Sequence, residues 1–177
     1  ARAGADRVLT TAKGRARQMN AGAQAANGAW LWFLHADTRL PPAALTALLA
    51  ATAQGPAWGR FDVRLTGDAP LLRVVERLMN WRSGLTGIAT GDQGILVART
   101  VFFAVGRYPE IPLMEDIALS RRLSRRQRPL RLRPPLRVSS RRWEEHGVLR
   151  TILLMWRLRL AYALGVSPQR LVKSYYT

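Results

Sequence analysis

The stretch Trp30–Leu40, WLWFLHADTRL, sets five large apolar side chains, Trp30 to Leu34, directly before a lone carboxylate, Asp37. An aromatic-rich apolar run of that length, followed by Pro41 and Pro42, fits a central strand buried on both faces of a parallel sheet. Open parallel sheets bind ligands at the carboxyl ends of their strands. Asp37 therefore stands where an α/β enzyme would hold a metal ion or a phosphate-bearing substrate.

Upstream, Val8–Thr10 can form a short strand, and Gly14–Asn27 reads as a helix stopped by Gly28. Its start is basic, with Lys13, Arg15 and Arg17, close to the expected crevice. Downstream, Pro42–Gln54 carries Leu45, Leu48, Leu49 and Thr52 at helical spacing, and Gly55-Pro56 ends it. Trp58–Leu65 alternates Phe61, Val63 and Leu65 with Arg60, Asp62 and Arg64, the pattern of a strand with one solvated or ligand-facing side. Pro70–Arg82 returns to helical spacing through Leu71, Val74, Val75 and Leu78.

The next segment, Ser83–Gly94 (SGLTGIATGDQG), is a glycine-rich loop whose backbone can approach a ligand closely. It delivers Asp92 and Gln93 just before a predicted strand, Ile95–Ala98. Val101–Val105 fits a short helix closed by Gly106. A proline-bearing loop then presents Glu115-Asp116 at the start of a helix that runs to about Gln127, where acids are also favoured by the helix dipole. Leu130–Val138 alternates Leu with Arg around Pro134-Pro135 and reads as an edge strand. Glu144–Gly165 is a long helical segment. Its arginines interrupt the roughly 20-residue apolar run that a bilayer span needs, which leaves a buried helix, a dimer contact or an interfacial helix.

A chain of 177 residues with 48% apolar composition suffices for one domain, and with no repeat or linker a single domain over 1–177 is expected. It has no cysteine, which excludes disulfides and thiolate metal sites. The net charge of +17 is almost wholly arginine and implies attraction to polyanions. No signal-peptide pattern follows Ala1.

HADT, GDQG (Gly91–Gly94), MEDIALSRRL (Met114–Leu123) and SSRRW (Ser139–Trp143) follow one another in an order that resembles the family 2 inverting glycosyltransferases of GT-A type. HADT resembles their short acidic motif with only its last acid kept. The set is most similar to a compact bacterial subgroup found near radical-SAM or selenium-linked genes. The resemblance implies a mainly parallel sheet flanked by helices, and a longer N-terminus carrying the first strands, so that this chain reads as a fragment.

It also implies transfer of a sugar from a nucleotide-diphosphate sugar to a hydroxyl acceptor, assisted by Mg²⁺ or Mn²⁺. On that basis Asp37 is the metal ligand, Asp116 the general base, and Glu115 either shapes the acceptor side or supports the base. Arg17 and Asn20 match the family's nucleotide-contacting pattern. Asp92, Gln93, Arg142 and Trp143 fall on the acceptor or diphosphate side. Ser139 stands where processive members have Gln or Arg, which argues against a polymer synthase. His146 is either the downstream His that completes some metal shells or a solvent-exposed side chain. A lipid-linked acceptor, a homo-oligomer, a cytoplasmic location and contact with the inner membrane face all fit the same family.

Two readings from other classes compete. Arg121–Arg142 is dense enough in arginine for a nucleic-acid-binding module, although it lacks an aromatic-basic stacking pattern. The C-terminal helix also fits a non-catalytic membrane-surface adaptor.

Overall fold

The computed structural model describes residues 4–53, 55 and 58–176; Gln54 and Pro56, expected at the end of a helix, lie outside these. Helix α1 (Arg15–Ala25) precedes strand β1 (Trp30–Phe33), helix α2 (Pro42–Ala53), strand β2 (Trp58–Leu65) and helix α3 (Pro70–Thr86). A 3₁₀ turn at Gly91–Gln93 leads into β3 (Ile95–Ala98) and α4 (Arg99–Ala104). Then come α5 (Glu115–Ser124), β4 (Leu130–Val138), α6 (Arg141–His146), α7 (Val148–Ala163) and α8 (Pro168–Tyr176). Val8–Thr10, expected as a strand, is exposed and irregular.

Among the described residues the strands form one sheet in the order β1-β3-β2-β4. β3 runs antiparallel to both β1 and β2, and β2 pairs parallel with β4. Three strands therefore point one way and β3 points back.

The sequence places Trp30–Leu34 at the sheet centre, but β1 lies at one edge, and only Leu31 in it is fully buried. Its apolar character comes from its two covered faces rather than from a central position. Leu31 and Phe33 join the core around Phe102 and Tyr108, and Trp30 and Trp32 pack with Phe61 under α2. On the unpaired side, β1 and α1 line a groove of about 610 Å³.

At the opposite edge β4 carries Pro134-Pro135, as an edge strand can. Phe61 faces Leu132 and Val63 faces Leu136, so the prolines fall in an irregularity that bulges β4. β3 covers β2 only at Trp58 and Gly59. Beyond it, α3 side chains take over the open backbone. Asn80 donates to the Val63 carbonyl at 3.0 Å and accepts from its N–H at 2.9 Å. Glu76 accepts from the Leu65 N–H and Arg73 donates to the Leu65 carbonyl.

Two helix faces depart from the spacing-based expectation. α2 buries Ala44 and Ala51, leaving Leu45 and Leu49 exposed, because alanines let the helix approach the sheet closely. α3 buries Leu72, Val75 and Ser83, while Leu71, Val74 and Leu78 face outward. The charged face of β2 is solvated only at Arg64. Arg60 and Asp62 are buried beneath α3, and Asp62 pairs with both Arg60 and Arg131.

Candidate functional site

The strand registers set the site. Phe33, the last residue of β1, faces Ile95, the first of β3, and Leu65 faces Val138 at the carboxyl ends of β2 and β4. The segments leaving β1 and β4 and the segment entering β3 thus converge at one end of the sheet, where α/β sheets bind ligands. A cavity of about 440 Å³ lies there, with Asp37, Asp92, Glu115 and Asp116 in its walls.

His35 organises one wall. Its Nδ1 lies 3.1 Å from Asp92 Oδ1, and Arg15 Nη2 meets its Nε2. A guanidinium can only donate, so Nε2 accepts and Nδ1 carries the proton toward Asp92. Arg15 Nε lies 3.4 Å from Glu115 Oε1, which extends the chain to Asp92–His35–Arg15–Glu115. A Cβ at Gly91 would run into both His35 and Arg15, so this close approach requires glycine. Enclosure in the pocket pushes the Asp92 carboxyl up, but the His35 hydrogen bond and the charges of Arg15 and Arg159 outweigh it and hold the group below its ordinary value.

Met114, in the left-handed region at φ 68°, turns the chain into α5 and delivers the two acids. A non-glycine residue rarely adopts that backbone, and such strain clusters at functional sites. Glu115 is 2% exposed, with Oε1 lacking a hydrogen-bond partner. Burial, then the neighbouring Asp116, push its carboxyl above the ordinary range. Asp116 accepts the Gly91 N–H at 2.8 Å on Oδ2 and the Ile117 N–H at 2.7 Å on Oδ1. Each oxygen keeps a further lone pair for a third group.

The other wall comes from the C-terminal helices. Arg142 donates to the Tyr175 carbonyl at 3.0 Å and lies over the Tyr175 ring at 3.8 Å. Arg159 borders the cavity. Burial, opposed by Asp116 and Asp92, lowers its guanidinium from the ordinary value. Behind it Arg82 is pushed down to about 10, first by burial and then by Arg159. Nε and Nη2 of Arg82 and Nε of Arg142 are buried without hydrogen-bond partners. Of the two, only Arg142 lines the cavity, where an unmet guanidinium donor favours an anionic ligand.

Most of the sequence-predicted residues meet here: Asp37, Asp92, Glu115, Asp116, Arg142, Trp143 and His146 all line the cavity. Three do not. Arg17 pairs with Glu110 at 3.0 Å on the surface. Asn20 is buried, bonded to both the N–H and the carbonyl of Tyr108. Gln93 is fully buried, accepting from the Thr90 N–H and donating to Ser83 Oγ. Their side chains secure the frame rather than the cavity. Sequence reasoning missed His35, Arg159 and the structural use of Arg15. His35 sits in the HADT motif, two residues before its acid, and Arg15 belongs to the basic start of α1.

Among the described residues no three His, Asp or Glu side chains are grouped to hold a metal ion. An ion shared with a ligand's phosphates needs less, since Mg²⁺ typically takes one or two carboxylates plus phosphate and water. Asp37, exposed at the cavity wall, fits that role.

A family model described as Glycosyl transferase family 2 matches residues 7–107, more than half of the chain. The small sheet flanked by helices is consistent with the GT-A nucleotide-sugar transferase fold. No curated protein and no solved structure matches the chain. The matched span includes Arg15, His35, Asp37 and Asp92 and stops before Glu115.

Proposed function

Because this chain belongs to glycosyl transferase family 2, we propose that its cavity moves a sugar from a nucleotide-diphosphate donor to a hydroxyl acceptor by a single inverting displacement. The observation that carries this reading is the convergence of Asp37, Asp92, Glu115 and Asp116 with the guanidinium groups of Arg142 and Arg159 in one cavity at the end of the sheet.

Asp116 takes the proton as the acceptor oxygen attacks the anomeric carbon. The new C–O bond forms on one face while the bond to the diphosphate breaks on the other. The nucleoside diphosphate leaves with the electron pair. Glu115, pushed up by burial, shapes the acceptor side. Arg142 and Arg159 offer cationic donors to the departing diphosphate, and the His35–Arg15 chain fixes the wall that carries Asp92. A Mg²⁺ or Mn²⁺ ion anchored by Asp37 would neutralise diphosphate charge. The reading places the protein in the cytoplasm at the inner membrane face, in the compact bacterial subgroup, with a lipid-linked alcohol among its acceptors.

The nucleic-acid reading is weakened by where the arginines go. Arg122 donates to three carbonyls, Arg128 to the Leu85 carbonyl, and Arg131 pairs with Asp62. These three brace the fold, while Arg125, Arg126, Arg133 and Arg137 stay exposed. The test is nucleoside diphosphate release from a panel of nucleotide sugars with Mn²⁺ present. Release from at least one donor is expected. No release from any of them, with salt-dependent retention on DNA, would favour the nucleic-acid module.

A further inference from the structure

α3 and α7 leave apolar side chains on one shared outer face. Leu153, Trp156 and Leu160 of α7 are each more than 60% exposed, as is Trp81 of α3. Leu78, Trp81 and Trp156 line a common groove of about 230 Å³, so the two rows form one continuous patch. Trp and Leu at this exposure are costly in water and are the side chains that enter a lipid interface.

The rim of the patch is basic. Arg77 lies one turn from Trp81 on α3, and Arg150 and Arg157 lie one turn either side of Leu153 on α7. All three are exposed. α7 carries no acid, and the one acid of α3, Glu76, is bonded to the Leu65 N–H. At the end of the α3 row, Trp81 and Leu85 adjoin a second cavity of about 410 Å³ lined by Arg60, Arg128 and Arg131. Asp62 offsets only part of that charge.

We propose that the α3–α7 face seats this protein on the surface of an anionic phospholipid bilayer, its tryptophans and leucines in the acyl boundary and its arginines on the lipid phosphates. A second copy of the chain is the poorer occupant, because a symmetric pair would set one arginine rim against another. No helix among the described residues is long and apolar enough to cross a membrane. The groove between the helices shares Asp92, Trp143, Met155 and Arg159 with the candidate site, so the proposed lipid surface adjoins the acids. The proposal rests on the membrane contact of the proposed function and names its surface, and its test needs no turnover.

The experiment is co-sedimentation with vesicles of phosphatidylcholine alone and with added phosphatidylglycerol. The protein should pellet with the anionic vesicles and remain in solution with the neutral ones. Trp81→Glu with Trp156→Glu should abolish pelleting, while Leu45→Glu with Leu49→Glu, on exposed α2 positions, should retain it. Arg77→Gln, Arg150→Gln and Arg157→Gln should each weaken partitioning about fivefold, the effect of one basic residue near an anionic surface. Equal pelleting of the tryptophan pair variant and the parent would overturn the proposal. So would a lipid-free dimer in sedimentation velocity that the tryptophan changes dissolve, with no vesicle binding by the parent.

Discussion

Asp116→Asn is expected to lower turnover by about 10²–10⁴-fold, roughly 3–5 kcal/mol of barrier, with donor affinity nearly unchanged. The amide keeps the size of the carboxylate but cannot take the acceptor's proton. The carboxylate also receives the N–H groups of Gly91 and Ile117, one on each oxygen. Asparagine offers a single oxygen, so one of those donors loses its partner, at about 1–3 kcal/mol of stability. The two roles separate in the measurement. A base loses rate at temperatures where both proteins remain folded, and donor binding is spared. A purely structural residue would lower the melting temperature while the folded variant kept its rate. Retained turnover in folded Asp116→Asn would refute the base assignment.

Asp62→Ala is expected to destabilise the fold by about 3–5 kcal/mol, the cost of leaving a buried charge unpaired. Asp62 accepts from Arg60 and, through both oxygens, from Arg131 Nε and Nη2. Arg60 is 1% exposed, and burial lowers its guanidinium from the ordinary value despite Asp62 beside it. Without the carboxylate, Arg60 keeps only carbonyl partners, Phe61 and Asn80. Arg60→Met combined with Asp62→Leu should lose less than Asp62→Ala alone, because the desolvated charge leaves with its partner. Urea unfolding midpoints check both; a loss below about 1 kcal/mol for Asp62→Ala would mean that Arg60 is sufficiently paired by carbonyls.

The elements that can be read from sequence are those whose pattern is local. Gly14, Pro42 and Pro70 bracket helix starts and Gly106 lies just past a helix end, so α1, α2 and α4 fall close to the expected segments, whereas α3 runs on to Thr86 through Ser83 and Gly84, which read as the start of the glycine-rich loop. The position of β1 in the sheet is not legible, since an apolar run reports covered faces and says nothing of which strand lies alongside. Burial of Arg60 and Asp62 is equally hidden, because alternation marks a second face without showing that α3 covers it. The long C-terminal segment divides at Gly147, φ 79°, where α6 hands over to α7. In the site, acids are visible as isolated charges beside apolar runs. Arg159 is not, because it joins Asp92 and Asp116 only when α7 folds back over the sheet's end. For Arg17 and Asn20 the hidden part is the partner: motif position puts them near a ligand, and Glu110 and Tyr108 from distant loops bond their side chains.

If the cavity at the strand ends is a nucleotide-diphosphate site, calorimetric titration of a nucleoside diphosphate with and without Mn²⁺ will report it. The parent protein should bind with an affinity that rises when Mn²⁺ is added. Asp37→Ala should lose that rise while keeping the parent's melting temperature, because Asp37 is exposed and carries none of the buried packing. Equal Mn²⁺-dependent binding by the variant and the parent, or no binding by a folded parent, would contradict the account.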